Sequence, residues 1–125
     1  MHKKKVLVVD DEKTLSGLIM EALTIMGDYT VERASDGREA LEKYKTFSPD
    51  IVVMDVEMPI MDGYESSSRI KSFDPAARIL MLTGNPGDSR ARRTIEEGIA
   101  LTLLPKPVRL MDLNQTIREN LLAHA

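Results

Sequence analysis

Four short apolar runs in this 125-residue sequence lead into residues that could do chemistry. Asp10-Asp11 follows KVLVV, Asp55 closes DIVVM, Thr83 follows ILML and Lys106 follows LTLLP. Taken singly, each has an ordinary structural explanation. Asp10 or Asp11 could cap a helix and favour its dipole, and Asp55 could be a polar strand end. Thr83 could be a β-branched strand residue and Lys106 a solvated charge. As a set they read differently. Three carboxylates brought to one point repel one another, and at least one has its pKa raised unless a cation sits among them. Mg2+ suits such a site, because it takes oxygen ligands from one or two carboxylates and keeps waters and a phosphate oxygen. A lysine and a threonine hydroxyl opposite the metal add one charge and one hydrogen-bond donor. Together they make a cradle for a phosphoryl group held on or near a carboxylate.

The composition removes most competing chemistries. Cysteine is absent, so disulfides, thiolate zinc sites and cysteine nucleophiles are excluded. The only histidines, His2 and His124, stand at the two ends of the sequence, which leaves Ser-His and Cys-His catalysis without a base. Lys+Arg 17 against Asp+Glu 20 gives a net charge of −3, which argues against direct nucleic-acid binding. Three Tyr and two Phe do not make an aromatic substrate pocket. No apolar run approaches the ~20 residues of a membrane span. The basic opening MHKKK is followed by too short an apolar stretch for a signal peptide, so a cytoplasmic location is expected.

Residues of this kind need a scaffold that aims them at one place, and the rest of the sequence describes one. Strands are expected at 5–10 (KVLVVD), 29–34 (YTVERA), 50–55 (DIVVMD), 78–82 (RILML) and 101–104 (LTLL). Three are nearly continuous apolar runs, as in parallel strands covered on both faces. The second alternates, with Val31 between Thr30 and Glu32, which suits an edge. Leu15, Leu18, Ile19, Ala22, Leu23 and Met26 mark one face of a first helix, stopped by Gly27. Asp36-Gly-Arg-Glu39 reads as a capping box opening a second helix, with Ala40, Leu41 and Tyr44 inward. Leu110, Leu113, Ile117 and Leu121 stripe the last.

Two helices look poorly anchored. Residues 63–73 carry Ser66, Ser67 and Ser68 where leucine is wanted, and 88–98 offer mainly Ala91 and Ile95 among charges. Strict β-α alternation implies one α/β domain over residues 1–125: a parallel five-stranded sheet with right-handed crossovers and helices on both faces. Functional residues in such sheets gather outside the carboxyl ends of the strands. Asp10, Asp11, Asp55, Thr83 and Lys106 are all expected there.

At these motifs the sequence resembles the receiver domain of two-component response regulators, over essentially its whole length. The resemblance rests on VLVVDDE at 6–12, DIVVMDVEMPIMDG at 50–63, LMLTGN at 80–85 and LPKP at 104–107. It implies a three-layer (βα)5 flavodoxin-like fold with strand order 2-1-3-4-5. It further implies that Asp55 is the phosphoacceptor and attacks the phosphohistidine of a sensor histidine kinase or phosphotransfer protein. Asp11 would bind Mg2+ directly, Asp10 mostly through water, and the Glu57 backbone carbonyl would be a further ligand. Lys106 would pair with the phosphoryl oxygens, Thr83 would swing in to hydrogen-bond one of them, and the Lys106–Pro107 peptide would be cis. The surface of the fourth helix, fifth strand and fifth helix would then change to control a downstream protein target or effector domain. Such a protein catalyses only its own phosphorylation and dephosphorylation, and is expected as a monomer or weak dimer.

The sequence departs from the usual receiver pattern in three places. Leu103 stands where an aromatic residue commonly rotates inward as the threonine moves. Gly84 replaces a frequent alanine and opens the turn-rich loop 84–87, and the spacing from Gly98 to Lys106 is about one residue longer than is common in the family. The side chains of Glu57 and Asn85 would flank the path of an attacking water. Arg90, Arg92 and Arg93 read equally as partner contacts or as a solvated helix face. Two other readings compete. An Asp-nucleophile phosphohydrolase of the haloacid dehalogenase kind would want D-x-D where this chain has Asp55-Val-Glu57, and a cap domain. A binding module that ignores phosphate would have no reason to keep the full set of five residues. The sequence closes on its last helix, which fits either a stand-alone receiver or one domain of a longer protein.

Overall fold

A computed structural model of the chain describes residues 3–123, so His2 and His124 lie outside the described residues. Five strands alternate with five helices: β1 (Lys5–Val9), α1 (Lys13–Gly27), β2 (Thr30–Ala34), α2 (Gly37–Phe47), β3 (Ile51–Asp55), α3 (Gly63–Phe73), β4 (Ile79–Thr83), α4 (Ser89–Glu96), β5 (Thr102–Pro105) and α5 (Leu110–Ala123). The strands form one parallel sheet in the order β2-β1-β3-β4-β5. The parallel sheet is the one the alternation predicts, and its strand order makes the flavodoxin-like (βα)5 fold that the resemblance implies.

Every residue of β3 and β4 is buried, because helices cover both faces of the sheet. Alternate strand residues therefore feed two separate cores. Val6, Val8, Ile51, Val53, Leu80 and Leu82 meet Ile19 and Leu23 of α1 and Leu113, Ile117 and Leu121 of α5. Leu7, Val9, Val52, Met54, Ile79 and Met81 face the other way, against Ala40, Tyr44, Ile70 and Ala91 of α2, α3 and α4. Each fully buried aliphatic side chain contributes about 1.5–3 kcal/mol of transfer free energy, which makes these layers the main source of stability. The edge strand β2 alternates in burial, as its sequence suggests.

Several local expectations are corrected. The buried stripe of α1 is Ser16, Ile19 and Leu23, while Leu18 is 53% exposed. The inward Ser16 meets Arg33 of β2, whose Nε donates to its hydroxyl. Gly27 ends α1, but the left-handed cap falls on Asp28 (φ 55°). Gly27 is needed for space instead, since a Cβ there would sit 1.9 Å from the Tyr29 ring. In the capping box of α2, Asp36 accepts Arg38 N–H and Glu39 N–H, and the Glu39 carboxylate accepts the N–H of Ser35, one residue before the cap.

The serines of α3 are anchors rather than weak points. Ser66 and Ser67 are fully buried, and Ser66 Oγ donates to the Gly37 carbonyl at 2.7 Å. Small residues let α2 and α3 approach closely: a Cβ on Gly37 would lie 2.9 Å from Ser66 Cβ and 2.3 Å from the Met61 carbonyl oxygen. On α4 the inward pair is Ala91 and Thr94, while Ile95 is 40% exposed. Strand β5 runs one residue later than expected. Gly98 (φ +70°) turns the chain out of α4, and Ile99 and Ala100 N–H both donate to the Thr94 carbonyl, which absorbs the extra residue.

Candidate functional site

Parallel strands bring all their carboxyl ends to one edge of the sheet, and the strand order seats β3 between β1 and β4. Asp10 follows β1, Asp55 closes β3 and Thr83 closes β4; all three are buried. Thr83 pairs in register with Pro105, and its carbonyl accepts the Lys106 N–H at 2.7 Å, so Lys106 emerges beside it. The Lys106–Pro107 peptide is cis, as expected. Gly63 admits the start of α3 directly behind Asp55. Its N–H donates to the Val56 carbonyl at 2.9 Å, and a Cβ there would lie 2.2 Å from the Asp55 carbonyl oxygen.

Carboxylate oxygens from Asp10, Asp11 and Asp55 lie within 4.8 Å of one another. Lys106 Nζ stands 3.0 Å from Asp55 Oδ1 and 3.4 Å from Asp10 Oδ2. The contact with Asp55 is a charge pairing rather than an aligned hydrogen bond, which leaves the buried Oδ1 without a directed donor. Burial holds the Asp55 pKa well above the carboxylate range; Lys106 opposes this, and the charges of Asp10 and Glu57 add to it. For Lys106, burial works to lower the pKa, but the pairs with Asp55 and Asp10 outweigh it and the net shift is upward. One ammonium cannot neutralise three carboxylates. The surplus negative charge, the all-oxygen donor set, an unsatisfied buried oxygen and an exposed Asp11 all fit a hard divalent cation.

Neither Asp10 nor Asp11 caps α1. The Asp10 Oδ1 accepts the Glu12 N–H at 2.8 Å, and Glu12, the cap residue, makes no side-chain cap bond. Thr83 is not turned toward Asp55. Its Oγ1 lies 2.8 Å from Glu57 Oε1 and accepts the Asn85 N–H at 3.0 Å. Leu103 is partly buried against the core on the α2–α4 side. The loop into α4 is pinned by Asp88, which caps the helix through the Arg90 N–H and pairs with the Arg90 guanidinium at 3.0 Å. Arg90 also reaches Asp62, the cap of α3, at 3.4 Å. This gives Arg90 a structural role; Arg93 instead lies over the Tyr64 ring and pairs with Glu97.

One residue that shapes the site is not evident from motif spacing. Arg33 of β2 donates from Nη2 to the Asp10 carbonyl at 3.1 Å, from Nη1 to Ser35 Oγ at 2.9 Å, and from Nε to Ser16 Oγ. It ties the loop bearing Asp10 and Asp11 to the neighbouring strand. Its only sequence signal is the strand alternation, which sets Arg33 on the same side as Val31. A cavity of about 440 Å³ opens at the opposite end of the sheet, lined by residues that include Tyr29, Arg118 and Leu121. It is far from the carboxylates, so volume does not mark the chemistry here.

Comparison with known proteins gives matches over most of the chain. The profile of the response regulator receiver domain matches residues 6–118. The chain is 40% identical over 95 residues to the chemotaxis protein CheY of Halobacterium salinarum, covering 76% of this chain and 78% of that one. It is 35% identical over 117 residues to CheY of Bacillus subtilis, covering 94% and 97%. Among solved structures, it is similar to CheY of Borrelia burgdorferi in its CheX-CheY-BeF3-Mg complex. That match has 31% identity, a TM-score of 0.85, and coverage of 94% and 88%. It is also similar to the response regulator TrrA of Thermotoga maritima in complex with Mg2+ and BeF, at 31% identity, TM-score 0.81, covering 93% and 97%.

Proposed function

This chain belongs to the response regulator receiver family, and from that membership we propose that it is a phosphorylation-dependent switch whose phosphoacceptor is Asp55. Receiver domains are signalling components of two-component systems rather than turnover enzymes. The observation that carries the reading is a buried, under-neutralised Asp55 held between Lys106 and the Asp10–Asp11 pair.

In the proposed reaction an Asp55 carboxylate oxygen attacks the phosphorus of a phosphohistidine on a sensor histidine kinase or phosphotransfer protein. The P–N bond breaks, the imidazole leaves and takes up a proton, and an acyl phosphate remains on Asp55. Asp10, Asp11, the Asp55 carboxylate and the Glu57 backbone carbonyl would hold Mg2+, which neutralises the phosphoryl oxygens when bound. Lys106 offsets charge on the same oxygens from its place 3.0 Å from Asp55. Arg33 keeps Asp10 where the site needs it, through the main chain. Thr83 turns from Glu57 to donate its hydroxyl to a phosphoryl oxygen. Moving a two-state population from 1:99 to 99:1 takes roughly 5.5 kcal/mol of preference. Charge-assisted hydrogen bonds of about 1.5–3 kcal/mol each, from Lys106 and Thr83, supply a large part of that. The changed surface, proposed as α4, β5 and α5, then engages a protein target. Among the described residues no helix is long and apolar enough to cross a membrane.

The test is intact mass spectrometry after incubation with Mg2+ and acetyl phosphate, beside an Asp55→Asn variant. Gain of one phosphoryl group by the parent alone, lost when Mg2+ is chelated, is the expected result. A folded parent that gains nothing would overturn the reading.

A further inference from the structure

Thr83 is fully buried, and its hydroxyl carries a single proton. Two acceptors stand near it: Glu57 Oε1 at 2.8 Å and the Asn85 carbonyl oxygen at 3.1 Å. One proton cannot serve both, and the carboxylate, nearer and charged, takes it. Under the phosphoacceptor reading that same proton is needed by a phosphoryl oxygen on Asp55. Two anionic acceptors thus compete for one donor. The backbone that leads into Glu57 is anchored at Val56. Val56 N–H donates to the Leu82 carbonyl at 3.0 Å, and Gly63 N–H to the Val56 carbonyl at 2.9 Å.

We infer that Glu57 is a positioning residue that holds the resting conformation: its carboxylate ties up the Thr83 hydroxyl, and phosphoryl binding must break that bond. The inference rests on the phosphoacceptor reading and adds regulation to it. The break is transmitted toward α4 by contacts already in place. Thr83 Oγ1 accepts the Asn85 N–H, the Asn85 carbonyl accepts the Asp88 N–H at 2.9 Å, and Asp88 caps α4. This route uses the loop rather than a rotating aromatic ring, which Leu103 cannot supply. Glu57 therefore has two separable effects on an incoming phosphoryl group. It holds Thr83 back, and it adds negative charge near Asp55.

A double-mutant cycle separates them, with beryllofluoride as the phosphoryl mimic, at saturating Mg2+, on the full chain, followed by calorimetric titration. Glu57→Gln replaces a charged acceptor with a weaker neutral one and should tighten beryllofluoride binding by about tenfold, the order expected for a charge-assisted hydrogen bond. In a Thr83→Val background, where no hydroxyl remains to be released, the gain should largely vanish. In a Thr83→Ser background, where the hydroxyl is restored, it should return. If Thr83→Val does not fold, Thr83→Ala takes its place in the cycle. Equal tightening with and without the hydroxyl would mean that Glu57 acts by charge alone and would overturn the inference. So would unchanged or weakened binding in Glu57→Gln. A folded parent that does not bind beryllofluoride would overturn the phosphoacceptor reading itself, and the inference with it.

Discussion

The two apolar layers and the rim at the carboxyl ends of the strands are built on opposite terms. In the layers, the apolar residues 51–54 of β3 and 79–82 of β4 are buried and meet aliphatic partners, so each side chain adds to stability. At the rim, a buried Asp55 has a directed donor on neither side of Oδ1, and three carboxylates share one ammonium. Ile60 there adopts a left-handed conformation (φ 68°) while 79% exposed, so nothing it buries offsets the strain. For a β-branched residue that backbone is unfavourable by about 1 kcal/mol or more. The difference teaches where this molecule keeps its stability and where it keeps its chemistry. Substitutions toward smaller or neutral side chains should therefore have opposite signs in the two regions.

The largest effect belongs to the layers. Ile117→Ala, at a fully buried position on α5, should lose about 2–5 kcal/mol in urea unfolding, through lost transfer energy and the cavity left behind. A loss below 1 kcal/mol would break the contrast at its stronger end. Next comes the seam between the regions. Gly63→Ala should cost about 1–3 kcal/mol by overpacking, because its Cβ collides with the Asp55 carbonyl. It should also slow phosphorylation by acetyl phosphate, since the displaced backbone carries the proposed acceptor, Asp55.

At the rim the sign reverses. The raised Asp55 pKa means that its surroundings, summed, disfavour the charged form. Between the ordinary value of 3.8 and the raised one, the native state binds more protons than the unfolded state. Stability of the metal-free parent should therefore fall as pH rises through that window, and stay low above it. Asp55→Asn should remove this decline and be the more stable protein in EDTA at neutral pH. Urea melts across pH check it, and Mg2+ should narrow the gap by stabilising the parent more than the variant, which lacks one of the carboxylates. The smallest effect is at Ile60. Asparagine tolerates left-handed backbone, so Ile60→Asn should gain up to about 1 kcal/mol, read as a higher urea midpoint with an unchanged slope. A loss there would mean that the exposed isoleucine makes a contact the strain conceals.

The sequence alone determined the α/β class, the parallel sheet and the end of it where carboxylates, threonine and lysine gather. Alternation of short apolar runs with amphipathic stretches leaves few ways to bury both faces of five strands, and strand ends can be located from pattern. The stripe of α5 and the cap of α2 were readable for the same reason, since their signals are local. What the tertiary structure decided is which side chains meet across the chain. Ser66 and Ser67 are anchors because α2 comes close enough to need small residues, and on α4 it is Thr94 rather than Ile95 that turns inward, with its hydroxyl satisfied by the Ala91 carbonyl. Arg33 reaches Asp10 from 23 residues away, and Thr83 gives its proton to Glu57, 26 residues earlier. Periodicity reports the face on which a residue lies. It cannot report the partner, because a hydrogen bond between distant residues depends on packing distances that no local pattern carries.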